Sequence, residues 1–417
     1  MCLLGPNAAP GRPATDVLPW LQLVQVALWG SACWWIWRRP GLRLWPIIAV
    51  ALLLRLAAAA HAPALSSDVY RYPWDGRVQR AGLSPYAWPP DAAELAPLRD
   101  GLIHPQINRP AARTVYPPGA QWLFATLPFH VDQVRWWMIA CDLLTLLLLA
   151  RLLALRGADP ARVVLYGWAP LAIWEVGNGG HLEAALLPWL LAAVLLLLAK
   201  RTRGATAGLL LGQAVAMKLY PLALLPALWR RGRWRLVGAM SAVVAGLYLA
   251  YGLAAGAEVL GFLPQYVGVA EDHNIGLRRL FEALFGGCGL GQPRWLAFAA
   301  CAATWCCGAW LLQRQTLPLT EHLLALAGLW LVCLPTALHP WYALWLLPWL
   351  ALHPRPAWLW LVAVLPLSYL KYAAPGGVMP PWVVPLEWLP VLGLGLLGAW
   401  QRRRAGTAII EKEATIP

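Results

Sequence analysis

The sequence predicts an all-α polytopic membrane protein, a bundle of about 13 membrane segments. Apolar residues make up 60% of the 417 positions and charged residues only 12%, too few to cover the surface of a soluble protein of this size. Apolar runs of membrane-spanning length recur from one end of the chain to the other. The 28 tryptophans fit a protein with many membrane–water boundaries, where amphipathic rings settle.

The membrane segments are placed by these apolar runs and by the basic clusters between them. They are 17–37, 44–61, 132–152, 161–176, 183–199, 204–217, 219–229, 236–254, 293–312, 321–338, 341–352, 357–372 and 386–400. Arginine clusters fall on alternate loops, which the positive-inside rule assigns to the cytoplasm. The N-terminus is therefore expected outside, with the tail 401–417 in the cytoplasm. Segment 17–37 is expected to remain as an anchor, because the residues before it lack the charge pattern of a signal peptide.

Segments 204–217 and 219–229 are each too short for a straight span, yet basic clusters flank the pair. We expect a helical hairpin that enters from the cytoplasm and turns near Lys218. Two longer loops face outward. Loop 62–118 is rich in proline, and loop 255–292 carries an amphipathic stretch at 277–285 that predicts a helix lying along the interface. We expect one transmembrane domain over 1–400. The formal charge of +14 comes from the loop clusters, so nucleic-acid binding is not predicted.

Polar and ionisable residues gather on the predicted outer side, whereas the inward turns carry only the arginines that set the topology. The outer groups are Asp68, Arg71, Asp75, Arg77, Asn178, His181, Glu183, Lys218, Tyr220, Asp272, His273, Asn274, His339, Trp341 and Tyr342. Five separate turns contribute to this set. A common outward-facing cavity is the simplest explanation.

Each of these groups has a structural alternative. Asp68 and Asp75 could cap helices or be solvated, but Asp68 comes a few residues after a membrane helix and is the better candidate for a rigidly held base. His181 could equally cap the segment that begins at 183. A lysine inside an apolar hairpin costs about 3 kcal/mol on insertion scales, so Lys218 should face water or pair with an anion such as a phosphate.

Two further charges lie within the predicted spans. Arg55 in segment 44–61 and Asp142 in segment 132–152 are expected at a similar depth. The preferred interpretation is a buried ion pair between neighbouring helices, with a structural role.

The first outer loop carries the strongest motif. The stretch DVYRYPWDGRV at 68–78, followed by GLSPY at 82–86 and TVYPP at 114–118, resembles the first outer loop of bacterial GT-C glycosyltransferases. The most similar are glycosyltransferase family 87 and the polyprenol-phosphate-mannose-dependent mannosyltransferases. GHLE at 180–183, KLYP at 218–221 and HPWYALWLLP at 339–348 add weaker matches, so the resemblance covers about 60–390. The chain departs in having Glu183 where the family commonly has Asp, and in having segment 17–37 before the usual first helix.

The resemblance implies a GT-C-like bundle and a sugar transfer that inverts the anomeric centre. The donor would be a polyprenyl-phosphate sugar, with mannose as the candidate, and the acceptor a glycan or glycolipid. Asp68 would be the general base, and Arg71, Lys218 and His339 would bind the donor phosphate. The substrate-binding or supporting residues would be Tyr70, Trp74, Asp75, Arg77, Tyr116, His181, Glu183, Tyr220, Trp341 and Tyr342.

No cofactor is predicted, and no close carboxylate pair indicates a divalent metal. The eight scattered cysteines show no metal-site or disulfide spacing. The expected location is the inner (plasma) membrane, with the active site on the periplasmic or extracellular side. Two alternatives stay open at this point: a flippase or other transporter of lipid-linked sugars, and a non-enzymatic protein of envelope assembly.

Overall fold

The computed structural model describes residues 13–199, 203–268, 274, 276–289, 291–333, 335 and 337–414, and every regular element in these ranges is helical. Thirteen helices are labelled here. They are α1 Pro13–Trp37, α2 Leu44–Ala59, α3 Asp68–Arg80, α4 Pro118–Thr126, α5 Val131–Leu155, α6 Glu183–Ala199, α7 Gly204–Met217, α8 Leu225–Ala255, α9 Gly276–Gly287, α10 Pro293–Gln313, α11 Leu319–Cys333, α12 Pro356–Val364 and α13 Val383–Ala414.

Shorter helical pieces connect the labelled helices. They are Ala93–Leu98, His104–Gln106, Pro160–Val163, Val164–Gly167, Pro170–Ala172, the π-helical Ile173–Asn178, Tyr220–Leu224, Gly256–Leu260, Leu263–Gly268, Pro340–Leu346, Leu347–Leu352, Leu365–Tyr369, Leu370–Ala373 and Pro375–Gly377.

Within the described ranges, four helical stretches are long and apolar enough to cross a membrane: Val131–Leu155, Trp234–Tyr266, Pro293–Gln313 and Val383–Gln401. Pro170–Asn178 and Glu183–Ala199 meet at a bend of 119°. If these two helical pieces form one broken span, it is a fifth such stretch. Large apolar side chains also lie on the outer surface, as do Trp136 and Trp137 of α5. These features fit a helical membrane protein. The expected number of about 13 membrane segments is not confirmed.

Proline explains why several predicted segments do not form long helices. Segment 161–176 is divided into short pieces that begin at Pro160 and Pro170, and segment 341–352 begins with a 3₁₀ turn at Pro340. Segment 357–372 changes at Leu365 into a 3₁₀ turn that contains Pro366. Proline lacks the backbone N–H that a helix interior requires, but it is well tolerated in the first turn, so each proline tends to start a new piece.

The predicted turn at Lys218 is present. Helix α7 ends at Met217, and Lys218 has extended backbone angles (φ −149°, ψ 138°).

Helix α7 packs closely on α8. A Cβ on Gly208 would lie 2.3 Å from the carbonyl oxygen of Leu236, and one on Gly212 would lie 3.0 Å from that of Met240. The two contacts advance in the same direction, so α7 runs parallel to the later part of α8. The chain between Lys218 and that part must therefore return across the bundle.

The first outer loop folds around α3 and has a small core of its own. Trp74 and Val78 of α3 pack with Leu95, Ile103 and Ile107. On another side α3 meets α4 backbone to backbone: a Cβ on Gly76 would lie only 2.1 Å from the carbonyl oxygen of Phe124. Helix α3 is therefore enclosed by the loop core on one side and by the bundle on the other.

The second outer loop packs on the first. The backbone N–H of Phe262 donates to the carbonyl oxygen of Thr114 at 2.8 Å, and Arg113 pairs with Glu258 at 3.0 Å. Further along, α9 has its apolar Leu280 and Leu284 exposed. Its place along the membrane interface stays a prediction.

The expected ion pair between Arg55 and Asp142 is confirmed. Arg55 Nε lies 2.5 Å from Asp142 Oδ2, and both side chains are fully buried. Arg55 also donates to the carbonyl oxygen of Gly167 at 2.7 Å, and the Tyr166 hydroxyl donates to Asp142. These bonds join α2, α5 and the broken segment 160–178, which is the structural role that was predicted.

Candidate functional site

Asp68 is the first residue of α3, and it is partly exposed. Its Oδ1 accepts a hydrogen bond of 2.7 Å from the side-chain amide of Asn108. The chain that leads into α3 is fixed by Asn178, whose Oδ1 accepts from the backbone N–H of Ala64 at 2.9 Å and whose amide donates to the carbonyl of Ala62 at 2.9 Å. The carboxylate is therefore held in position relative to the helical bundle.

The Asp68 carboxylate faces residues from distant parts of the chain. It interacts electrostatically with Tyr72 of α3, with Tyr116 before α4, and with His339 and Tyr342 around the Pro340–Leu346 turn. The structure thus brings the predicted base into the same region as the groups predicted near residue 340.

Lys218 and Glu183 form an ion pair, with Lys218 Nζ 2.6 Å from Glu183 Oε1. The Glu183 side chain is fully buried and that of Lys218 is 14% exposed. The ammonium also lies 5.3 Å from the centroid of the Tyr342 ring. In the described part of the chain, Glu183 Oε2 has no hydrogen-bond partner. Lys218 does pair with an anion, as its cost in an apolar hairpin requires, and that anion is a protein carboxylate.

Two histidines stack on one indole ring. The ring centroids of His181 and Trp341 are 4.1 Å apart, and those of His339 and Trp341 are 4.3 Å apart. His181 Nε2 lies 3.1 Å from Glu175 Oε2, and Glu175 Oε1 accepts from the Tyr369 hydroxyl at 2.9 Å. His181 therefore faces a buried carboxylate as well as the indole, so it is more than a helix cap.

Burial lowers the pKa of His339 to about 3, against the opposing influence of the nearby Asp68. His339 lies in the turn before residue 340, outside the predicted spans. Its imidazole is neutral at physiological pH, so it can donate or accept a hydrogen bond but carries no charge.

An aromatic cluster lies beside Lys218. Tyr220 packs against Trp330 and Trp345, with ring centroids 5.1 and 4.7 Å apart, and Tyr342 packs against Trp330 at 5.7 Å. The Tyr342 hydroxyl is 3.5 Å from that of Tyr266 in the second outer loop. The second outer loop therefore contributes to the same region as the turn at Lys218.

Arg71 and Asp75 neutralise each other within α3. Arg71 Nε lies 2.7 Å from Asp75 Oδ1, and Arg71 also donates to the carbonyl oxygen of Ala112 at 3.1 Å. The other Asp75 oxygen accepts from Gln121 at 2.7 Å, and the Asp75 side chain is fully buried. This arrangement fits a supporting role for Asp75, and it gives Arg71 a protein partner where a donor phosphate was expected.

Two predicted residues of α3 lie away from the Asp68 region. Trp74 belongs to the core of the first outer loop, next to the His104 ring at 5.2 Å. Arg77 binds Asp100 at 2.5 Å and the carbonyl oxygen of Leu98 at 3.0 Å. Both hold the loop together in the structure. Tyr70 packs against the core of the first outer loop and also against the large hydrophobic core of the helical bundle.

Tyr116 is buried against Tyr72 and Phe124 and so lies among the predicted supporting residues near Asp68. In the second outer loop, Asp272 and His273 fall outside the described residues. Asn274 donates to Glu387 Oε2 at 2.6 Å and accepts from the Trp388 indole at 3.3 Å. The structure thus ties it to α13.

Sequence reasoning missed several residues of this region. Glu175 could have been found, because a carboxylate inside the predicted span 161–176 is costly and so deserves a functional hypothesis. Asn108, Tyr266 and Tyr369 gave no comparable signal, since each is a single polar or aromatic residue in a loop or at a helix end.

The carboxylates of this region differ in their partners. Asp75 pairs with Arg71, Glu183 with Lys218, and Glu175 with His181 and Tyr369. Within the ranges that the structure describes, the Asp68 side chain accepts its hydrogen bond from the neutral amide of Asn108. Among the described residues, no three His, Cys, Asp or Glu side chains come together to hold a metal ion. A partly exposed carboxylate that pairs with no cation in the described part of the chain can accept a proton, and the ammonium of Lys218 can bind an anion.

The comparisons with known proteins agree with this chemistry. A family model described as Glycosyltransferase family 87 matches residues 114–338, which is more than half of the chain. The matched range contains Glu183, Lys218 and Tyr220 and ends one residue before His339, while Asp68 precedes it. None of the curated proteins and none of the solved structures matches the chain.

Proposed function

The chain belongs to glycosyltransferase family 87, and we propose that this membrane glycosyltransferase takes a glycosyl residue, with mannose as the candidate, from a polyprenyl-phosphate-linked donor. The acceptor is a glycan or glycolipid at the outer face of the inner membrane. Residues 1–400 act as one transmembrane domain. Family membership gives the glycosyltransferase activity, which argues against the transporter and scaffold alternatives.

Asp68 acts as the general base. The observation that carries this assignment is the difference in partners: Asp75, Glu183 and Glu175 each have a cationic or imidazole partner, whereas Asp68 is partly exposed and bonded to an amide. A paired, fully buried carboxylate such as Asp75 would have to break its ion pair to take a proton. A base also needs a position about 3 Å from the reacting hydroxyl, and Asp68 is accessible enough for this.

Lys218 and His339 bind the phosphate of the donor. Lys218 supplies a positive charge close to the Asp68 region, and the neutral His339 supplies a hydrogen-bond donor. Negative charge builds up on the phosphate oxygens as the bond to the sugar breaks, and donors fixed beforehand stabilise it. Arg71, which holds α3 in shape through its bond to Asp75, is the third candidate for the donor phosphate.

The reaction is a single displacement. The acceptor oxygen attacks the anomeric carbon from the side opposite the phosphate, its proton passes to Asp68, and the electron pair of the breaking C–O bond goes to the phosphate oxygen. The product has the inverted anomeric configuration. Tyr220, Trp341 and Tyr342 offer ring faces for the sugar or for the first part of the lipid chain. Glu183 supports this region by holding Lys218 in place.

The test is transfer by the purified protein in lipid nanodiscs. Radiolabelled polyprenyl-phosphate mannose, the corresponding glucose lipid and nucleotide sugars are each offered with an acceptor extract of bacterial membranes. We expect product from a lipid-linked donor and a loss of about 10²-fold or more in Asp68→Asn. Glu94→Gln is the matched control, because Glu94 is an exposed carboxylate of the same loop. Transfer from nucleotide sugars alone, or full activity in Asp68→Asn, would overturn the proposal.

A further inference from the structure

We propose that Asn108 is a positioning residue that orients the Asp68 carboxylate for proton transfer. The proposal rests on the assignment of Asp68 as the base. It starts from the 2.7 Å hydrogen bond between Asn108 Nδ2 and Asp68 Oδ1, which joins two residues 40 positions apart. Neither the motifs of the first outer loop nor the matched range 114–338 includes Asn108.

The segment that carries Asn108 is fastened on both sides. Ile107, immediately before it, is 5% exposed in the core of the first outer loop. After it, the carbonyl oxygen of Pro110 accepts from the backbone N–H of Asp91 at 3.0 Å, and that of Ala112 accepts from Arg71 at 3.1 Å. The Asn108 side chain itself is exposed. A fixed backbone thus presents an exposed amide to the first turn of α3.

The hydrogen bond between Asn108 and Asp68 suits a general base, whose carboxylate must stay ionised and keep a fixed orientation. An ionised carboxylate can only accept hydrogen bonds, so the NH₂ end of the amide must face Asp68. One N–H then holds Oδ1, and Oδ2 remains for the acceptor hydroxyl. An arginine or lysine in the same place would neutralise the carboxylate, as Arg71 does for Asp75. A neutral amide fixes the orientation without supplying an opposing charge.

The closest contrast is Asp75, which lies seven residues after Asp68 in the same helix. Asp75 also accepts from an amide, that of Gln121 at 2.7 Å, but its second oxygen is bonded to Arg71 at 2.7 Å. Both Asp75 oxygens are therefore engaged. The difference between the two aspartates in α3 is that Asn108 engages one oxygen of Asp68 and leaves the other for the substrate.

The test compares Asn108→Ala and Asn108→Asp in the transfer assay, with kcat and the donor KM measured separately. Loss of orientation slows the chemical step, so we expect kcat to fall about tenfold in Asn108→Ala while the donor KM is unchanged. Asn108→Asp keeps the size of the side chain but removes the N–H donor, so kcat should fall at least as much. Glu94→Ala, an exposed change in the same loop, should leave both constants at the wild-type value.

Asp68→Glu provides the coupling test. Its carboxylate is displaced by one methylene and no longer meets the Asn108 amide in the same geometry, so adding Asn108→Ala should change the residual kcat less than twofold. Wild-type kcat in Asn108→Ala, wild-type kcat in Asn108→Asp, or an equal tenfold loss in the Asp68→Glu background would each overturn the positioning role. These results are distinct from failure of the proposed function, in which Asp68→Asn itself would remain active.

Discussion

Lys218 and Glu183, 35 positions apart in the sequence, meet at 2.6 Å between Nζ and Oε1. Glu183 begins α6, and Lys218 is the extended residue at which α7 ends. The ion pair therefore joins the first residue of α6 to the residue that follows α7, at the point where the chain turns. A donor phosphate that binds Lys218 must share the ammonium with Glu183, so the same contact is structural before binding and functional after it.

Variants of this pair can distinguish the stability of the turn from the binding of the donor. Lys218→Met leaves Glu183 buried without its partner, which costs about 3–5 kcal/mol for a buried pair, and it also removes the proposed contact with the donor phosphate. In Lys218→Met/Glu183→Leu no charge is left behind, so thermal stability should return towards the wild-type value. The donor KM should stay raised about tenfold or more. Thermal unfolding and transfer kinetics on both variants make the comparison, and a double variant with a wild-type donor KM would contradict it.

The buried pair of Arg55 and Asp142 should behave differently. Arg55→Leu leaves the Asp142 carboxylate buried beside the Tyr166 hydroxyl but without its cationic partner, and we expect a loss of about 3–5 kcal/mol. Arg55→Leu/Asp142→Leu should recover most of this loss and retain the donor KM, because the pair has no assigned role in the reaction. Thermal unfolding in detergent with parallel transfer assays checks both. A double variant that is stable but inactive would show that the charges also serve the reaction.

Gly76 sets the distance between α3 and α4. A methyl group at this position would lie 2.1 Å from the carbonyl oxygen of Phe124, so Gly76→Ala must push the two helices apart. We expect a destabilisation of about 1–3 kcal/mol and a lower kcat, because Asp68 moves with α3. The matched control is Gly101→Ala in the same outer loop, where no atom lies within 4 Å of the added carbon. Equal unfolding temperatures for the two variants would disprove the close packing.

Asp100 makes the first outer loop sensitive to acid. Desolvation raises the pKa of its carboxyl, but hydrogen bonds from the Ile103 backbone, Arg77 and the Leu102 backbone outweigh this and lower the pKa to about 2. An unfolded aspartate has a pKa of about 3.9. Because the folded pKa is the lower one, the stabilisation is fully present above about pH 4 and is lost as the pH falls through about 2.

Pepsin cleavage near the exposed Leu102 reports on this loop in acid. Asp100→Asn should be cleaved faster than the wild type at pH 4, and the difference should disappear as the pH approaches 2. Glu94→Gln, which removes an exposed carboxylate of the same loop, should follow the wild type throughout. A difference between wild type and Asp100→Asn that grows towards pH 2 would reverse the sign and refute the assignment.

Helix positions with continuous apolar sequence could be predicted well. Segments 183–199 and 204–217 coincide with α6 and α7, and 44–61 and 293–312 agree with α2 and α10 within one or two residues. The sequence also indicated the turn at Lys218. Segments 161–176, 341–352 and 357–372 were predicted as single spans but form short pieces that begin at or beside prolines. Hydropathy records the apolar character of a segment and not its missing backbone donors.

The sequence predicted which residues belong to the candidate site better than it predicted which of them bind each other. The predicted topology placed Asp68, Glu183, Lys218 and His339 together on the outer side, without showing that Glu183 and Lys218 bind each other. Trp74 was expected near the substrate, but it packs in the loop core. Buried residues occur all around α3, so the sequence of this helix has no polar and apolar face from which the direction of each side chain could be inferred.

The bond between the Phe262 backbone and Thr114 continues into a longer series of contacts. The Thr114 hydroxyl accepts from Gln121 at 2.8 Å, Gln121 donates to Asp75 at 2.7 Å, and Asp75 binds Arg71 at 2.7 Å. The two outer loops and α3 therefore share one hydrogen-bonded frame. Neither loop can move away from the other without breaking buried polar contacts. We therefore expect the interface between the two loops to stay closed during turnover. A bulky lipid-linked substrate would then reach Asp68 laterally, from the bilayer.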